Sequence, residues 1–141
     1  MVMSSEYIQI TSATIYAAAL FITIITFRRA KRLDQITLSD NIFKELRNLD
    51  LELAKVPPGS QYDGTRSQWY YRIFNTLNWL SFMINEKLIS DKKLIAHIKP
   101  VIANYYEDTF MKNISVGQRD SKFYQEFTKL YRTIKKQFLD G

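Results

Sequence analysis

The sequence predicts an all-α protein: an N-terminal transmembrane helix followed by a small bundle of about four helices. Three observations carry that expectation. Residues 7–27, YIQITSATIYAAALFITIITF, contain no charged side chain. Arg28, Arg29, Lys31 and Arg32 follow that run at once. Beyond them, apolar residues recur at steps of three and four, the spacing that places side chains on one face of a helix.

The apolar run comes first. At 1.5 Å per residue it makes a helix of about 31 Å, close to the hydrocarbon thickness of a bilayer. Its polar members are Gln9, Thr11, Ser12, Thr14, Thr23 and Thr26. Serine and threonine can return their hydroxyls to the helix backbone, so they cost little in lipid. A cleaved signal peptide needs positive charge before the apolar run, whereas here Glu6 precedes it and the basic residues follow. A buried helix of a soluble domain is the other alternative, and the abrupt basic edge argues against it. Because Lys and Arg are enriched on cytoplasmic flanks, the short N-terminus is expected outside and the rest of the chain inside. The expected division is residues 1–32 as transmembrane anchor with a basic juxtamembrane collar, and residues 33–141 as a cytoplasmic helical domain, the whole being a single-pass protein of the cell membrane.

Composition narrows the chemistry. The chain carries 20 Lys+Arg against 14 Asp+Glu, a formal charge of +6. The collar is the largest single block of that excess, so topology and anionic lipid account for it better than nucleic acid, and no nucleic-acid partner is expected. The absence of cysteine excludes disulfides, thiol catalysis and Cys-based zinc sites. A single histidine excludes a His–His metal site within one chain, and none of the four glycines falls in a phosphate-binding loop pattern. No cofactor, metal site or catalytic residue is expected.

Residues 33–55 read as helix, with Ile42, Leu46, Leu49 and Leu53 forming one apolar stripe. Ser39 or Asp40 would suit a fresh helix start; equally, the membrane helix runs straight through to Lys55. Residues 56–65, VPPGSQYDGT, form the clearest break, an interhelical connection. Residues 66–89 are the expected central helix. Tyr70, Ile73, Leu77, Leu80 and Ile84 form its main stripe, widened by Trp69, Phe74 and Leu88. No charge lies between residues 73 and 85, yet that stretch is too short and, with Asn75, Asn78, Ser81 and Asn85, too polar to be a second span.

Ser90 as N-cap and Asp91 in the first turn open the next helix, with Ile89 stapled against Leu94. Pro100 either kinks this helix near Ala96 or stops it. Residues 120–139 are the last helix, with Phe123, Phe127, Leu130, Ile134 and Phe138 on one side and Lys122, Lys129, Arg132 and Lys136 on the other. A basic amphipathic helix either lies on anionic membrane or presents a solvated back. The candidate anionic-lipid contacts are therefore Arg28, Arg29, Lys31, Arg32, Lys122, Lys129, Arg132 and Lys136. Glu107 and Asp108, the adjacent acidic pair, point about 100° apart on a helix and do not converge. His97 has no carboxylate one turn away to orient or charge it.

Residues 77–94, LNWLSFMINEKLISDKKL, resemble the centre of a family of short bacterial and archaeal proteins classed only as a domain of unknown function. The matching features are Leu77-Asn78, Trp79 and Ile89-Ser90-Asp91; the acidic position of that pattern is filled here by Leu80, Ser81 and Phe82. The resemblance implies one N-terminal transmembrane helix, a basic edge and a cytoplasmic helical domain, and no activity. The functional expectation is a membrane-anchored, non-enzymatic interaction protein, with the lipid bilayer and either an unknown protein or a second copy as partners. The alternative is a small accessory subunit of a multi-subunit membrane complex, packed through the small-residue spacings Ala13/Ala17 and Thr14/Ala18.

Overall fold

The computed structural model describes residues Ser5 to Gly141; of the segment expected outside the membrane, residues 1–4 lie outside the described residues. Helix α1 is Ser5–Ala54, α2 is Asp63–Asn85, α3 is Lys92–Tyr105, α4 is the short turn Met111–Asn113, and α5 is Gln125–Leu139. There is no strand among the described residues. By its contacts the chain divides into two units, Met1–Asp34 and Gln35–Gly141.

The first unit is helical throughout its described length, and α1 continues without a break past Ser39 and Asp40 to Ala54. Of the two sequence readings for that region, the unbroken helix is the observed one. Nothing between Arg28 and Ser39 disfavours helix, and Ser39 is buried rather than turned back as a cap. α1 is long and apolar enough to cross a membrane. Ile15, Tyr16, Leu20, Phe21, Ile22 and Phe27 are all exposed, so the apolar surface runs round the helix rather than along one stripe. A helix apolar on all sides needs an apolar surrounding. Thr23 donates its hydroxyl to the Ala19 carbonyl at 2.8 Å, which removes its polar cost.

The second unit contains the core. Ile42, Leu46 and Leu49 of α1 are buried as the stripe requires. α2 supplies Ile73, Phe74, Leu77, Leu80, Met83 and Ile84, and packs most extensively against α5, which supplies Phe127, Leu130, Tyr131 and Ile134. At the centre the rings pack edge to face: Phe74 on Phe110 at 5.0 Å, Phe110 on Phe127 at 5.1 Å, and Tyr106 on Phe127 at 5.1 Å. Such pairs add about 0.5–1.5 kcal/mol each beyond the area they bury.

α2 begins three residues earlier than the sequence suggested, after a 3₁₀ turn at Ser60–Tyr62 that Arg66 ties back by donating to the Pro57 and Gly59 carbonyls. It ends at Asn85, which puts Leu88 outside the helix and exposed. The exit is a Schellman motif: Lys87 N–H donates to Ile84 and Leu88 N–H to Met83. The left-handed position of that motif, usually glycine, is held by Lys87 at φ 59°.

α3 is capped by Asp91, one residue later than Ser90, through its carboxylate and the Leu94 N–H at 2.9 Å. It runs through Pro100 unbroken. The carbonyl that loses its partner is that of Ala96, and both Ala96 and Pro100 are exposed, which leaves it open to solvent. Beyond Tyr105 the chain passes through a π-turn, Tyr106–Phe110, into α4. The sequence reason is the strict step of four in Ile98, Ile102, Tyr106 and Phe110. On an α-helix each such step drifts about 40° round the axis, and one wider turn brings all four back to the core. All four are buried.

α5 starts at Gln125, not at residue 120; residues 119–124 are irregular turns. Phe123 therefore precedes the helix and is 56% exposed, and Phe138, beyond the last core contact, is 71% exposed. The apolar face of α5 is consequently shorter than the periodicity suggested.

Candidate functional site

The charged and polar groups fall into three sets: those that hold helix ends, those that seal tyrosines, and the basic residues left at the surface.

The helix ends come first because they use residues whose purpose was not evident in the sequence. Asn78, on α2, accepts from the Glu126 and Phe127 N–H groups at 3.1 and 3.0 Å. Asn85, two turns later, donates to the Glu126 carbonyl and carboxylate. α5 has no cap from its own residue Tyr124, so α2 caps it from outside. Gln35, on α1, does the same for the entry to α3. It is 7% exposed, accepts from the Ser90 and Asp91 N–H groups at 3.0 and 2.9 Å, and donates to the Ser90 hydroxyl.

The tyrosines form the second set. Tyr105 donates to Asp50, and Tyr131 donates to Glu107 at 2.6 Å. Burial, and then the carboxylate partner, push both phenols above their ordinary value of 10.0. Tyr131 stacks on Tyr106 with ring centroids 3.9 Å apart. Thr128 spends its single proton on the Arg119 carbonyl at 2.7 Å, so the buried contact between Tyr106 and Thr128 must be donated by the phenol. Glu107 is thus committed to Tyr131. Asp108 and His97 are exposed, and among the described residues no three of His, Asp and Glu come close enough to hold a metal. A surface hollow of about 310 Å³ lies between α1 and α2 and includes Ile42, Glu45, Asn75 and Trp79. Glu45 is the one ionisable group in it.

The basic residues are the third set. Arg28, Arg29, Lys31 and Arg32 are all exposed on α1. On α5, Lys129, Arg132 and Lys136 are exposed at i, i+3 and i+7, which is one side of the helix. Lys122, grouped with them by sequence spacing, sits in the turn before α5, with its ammonium 5.9 Å from the Phe123 ring centroid. Arg132 is paired with Asp120 at 2.9 Å, and that carboxylate holds its guanidinium above the ordinary value. Lys135 was missed in the sequence grouping. Its ammonium lies 5.7 Å from the Tyr131 ring and donates to the phenol oxygen at 3.3 Å. No acidic residue occurs in residues 127–139.

Among the described residues the arrangement is all-helical, with one apolar helix long enough to cross a membrane and a helical unit, Gln35–Gly141, whose surface charge is basic along α5. Comparison with protein families, with curated proteins and with solved structures finds no match for this chain.

Proposed function

We propose that this protein is a single-pass, membrane-anchored helical interaction protein without enzymatic activity. Its unit Gln35–Gly141 is a small bundle of about four helices on the cytoplasmic side, and its N-terminus is outside. The observation that carries the reading is the one-sided collar: Arg28, Arg29, Lys31 and Arg32 are exposed immediately after an apolar helix that carries none before it. In that orientation the four side chains lie at the headgroups of an anionic leaflet. The commitment of Asp50, Glu107 and Glu126 to Tyr105, Tyr131 and Asn85 supports a structural rather than catalytic use of those carboxylates. The bilayer and a protein, either another chain or a second copy, are the partners.

Protease added to intact cells or right-side-out vesicles should spare Gln35–Gly141 until the membrane is opened. Cleavage of that unit from outside reverses the topology. The second reading, an accessory subunit of a larger complex, is favoured by the exposure of Ala13 and Ala17, which leaves a small-residue stripe open to a neighbouring helix. Purification in mild detergent separates the two: a defined set of co-purifying membrane subunits supports the second, and a lone or self-associated chain supports the first.

A further inference from the structure

We propose that the outer side of α5 is a docking surface for anionic phospholipid headgroups, held by Lys129 and Lys136 with Lys135 on its flank. The proposal rests on the reading of α1 as a membrane anchor and adds a surface contact to it.

The charge balance of α5 is the starting point. Across residues 127–139 there are basic side chains and no acidic ones. Lys129 and Lys136 are seven residues apart, two turns, and so face the same way. Among the described residues neither has an ion-pair partner. Lys135, about 100° round the helix from Lys136, lies on the flank and donates to the Tyr131 phenol, which in turn donates to the Glu107 carboxylate. Arg132 lies among them, but Asp120 already neutralises it, so it adds little to the field. The core side of the same helix is spent on Phe127, Leu130 and Ile134, which are buried. What remains along the middle of the helix is charge, and the exposed apolar side chains Phe138 and Leu139 are confined to its last turn. That suits a layer of phosphate headgroups and does not suit insertion among acyl chains.

The occupant follows from covalent attachment. α1 carries the membrane-length segment and the first residues of the Gln35–Gly141 unit in one chain. Headgroups are consequently the anionic surface present at high effective concentration, ahead of any soluble polyanion. Each lysine near such a surface contributes about a fivefold change in the docked-to-undocked ratio at moderate salt. Neutralising three lowers the ratio by about a hundredfold.

The absence of native cysteine makes a site-specific test direct. The full chain carrying Thr133→Cys, an exposed position beside Lys129 and Lys136, is labelled with a fluorophore. It is placed in nanodiscs of phosphatidylcholine alone or with an equal part of phosphatidylglycerol, each containing headgroup spin-labelled lipid as quencher. Asn104→Cys, exposed on α3, is the comparison site. Quenching at residue 133 should be strong only in the anionic discs and should fall as salt rises. It should be lost in K129Q/K135Q/K136Q while that variant melts like the parent, and residue 104 should change little. Equal quenching at residue 133 in both disc types, or quenching that survives the triple substitution, overturns the docking proposal and leaves the anchor intact. A chain that stays out of the discs altogether overturns the anchor and the docking with it.

Discussion

Replacing Asn78 by Ala should destabilise the Gln35–Gly141 unit without touching its apolar core. The side chain removed accepts from two backbone groups at the start of α5, the Glu126 and Phe127 N–H. α5 offers no cap of its own to take over. Loss of an asparagine cap costs about 0.5–2 kcal/mol, and here two partly buried donors lose their acceptor together, which puts the expectation at about 1–2 kcal/mol. For a unit of this size Tm falls by roughly 4–8 °C per kcal/mol, so a drop of roughly 4–16 °C is expected. Both tryptophans, Trp69 and Trp79, lie in α2, so the tryptophan fluorescence of the full chain in detergent follows this unit alone. Asn75→Ala is the matched control, because Asn75 is exposed one turn earlier and reaches no helix end. Asn78→Asp keeps an acceptor and adds negative charge at a helix N-terminus, and should recover most of the loss. If Asn78→Ala and Asn75→Ala melt alike, the capping argument is wrong and α5 is held by its apolar face alone.

Two further outcomes are expected. Lys87→Gly should stabilise the unit by about 1 kcal/mol, because a left-handed φ of 59° carries a steric cost that glycine lacks; an unchanged or lowered Tm would contradict this. Stability should also fall in alkali: the neutral phenols of Tyr105 and Tyr131 contribute fully below their ordinary 10.0, and that contribution is lost as pH rises through their raised folded values. Melting followed from neutral pH upward should be flat to pH 10 and then decline, less steeply in Tyr131→Phe.

Much of the fold was legible because it rests on periodicity. The stripes through Ile42–Leu46–Leu49 and Ile73–Leu77–Leu80–Ile84 are local patterns, and the core uses them as written. Helix ends were less legible where they depend on distant residues. Nothing within residues 120–126 marks Gln125 as the start of α5, because the acceptor that fixes it is Asn78. Asn78 and Asn85 were read only as polar interruptions that exclude a membrane span, and their hydrogen bonds to α5 give the reason they interrupt. The π-turn carried a signal, the repeated step of four from Ile98 to Phe110, which the reading of a helix kinked or stopped at Pro100 did not use. Of the candidate site, the α1 collar was visible as a block. The basic side of α5 was visible except for Lys135, whose i+1 position to Lys136 hid its contact with Tyr131, and Arg132 was counted as available charge because Asp120 lies twelve residues earlier.

The outside capping of α5 also has a consequence during synthesis. The apolar face of α2 is complete when Asn85 has been added, but the helix that covers it begins about forty residues later. At ribosomal speeds of about 5–20 residues per second, that interval lasts roughly 2–8 s. For those seconds Phe74, Leu77 and Leu80 have no α5 to lie against, and Asn78 has no N–H to accept. The nascent chain is therefore most exposed to chaperones, proteases and premature association in this window, which closes only as residues 125–139 leave the exit tunnel.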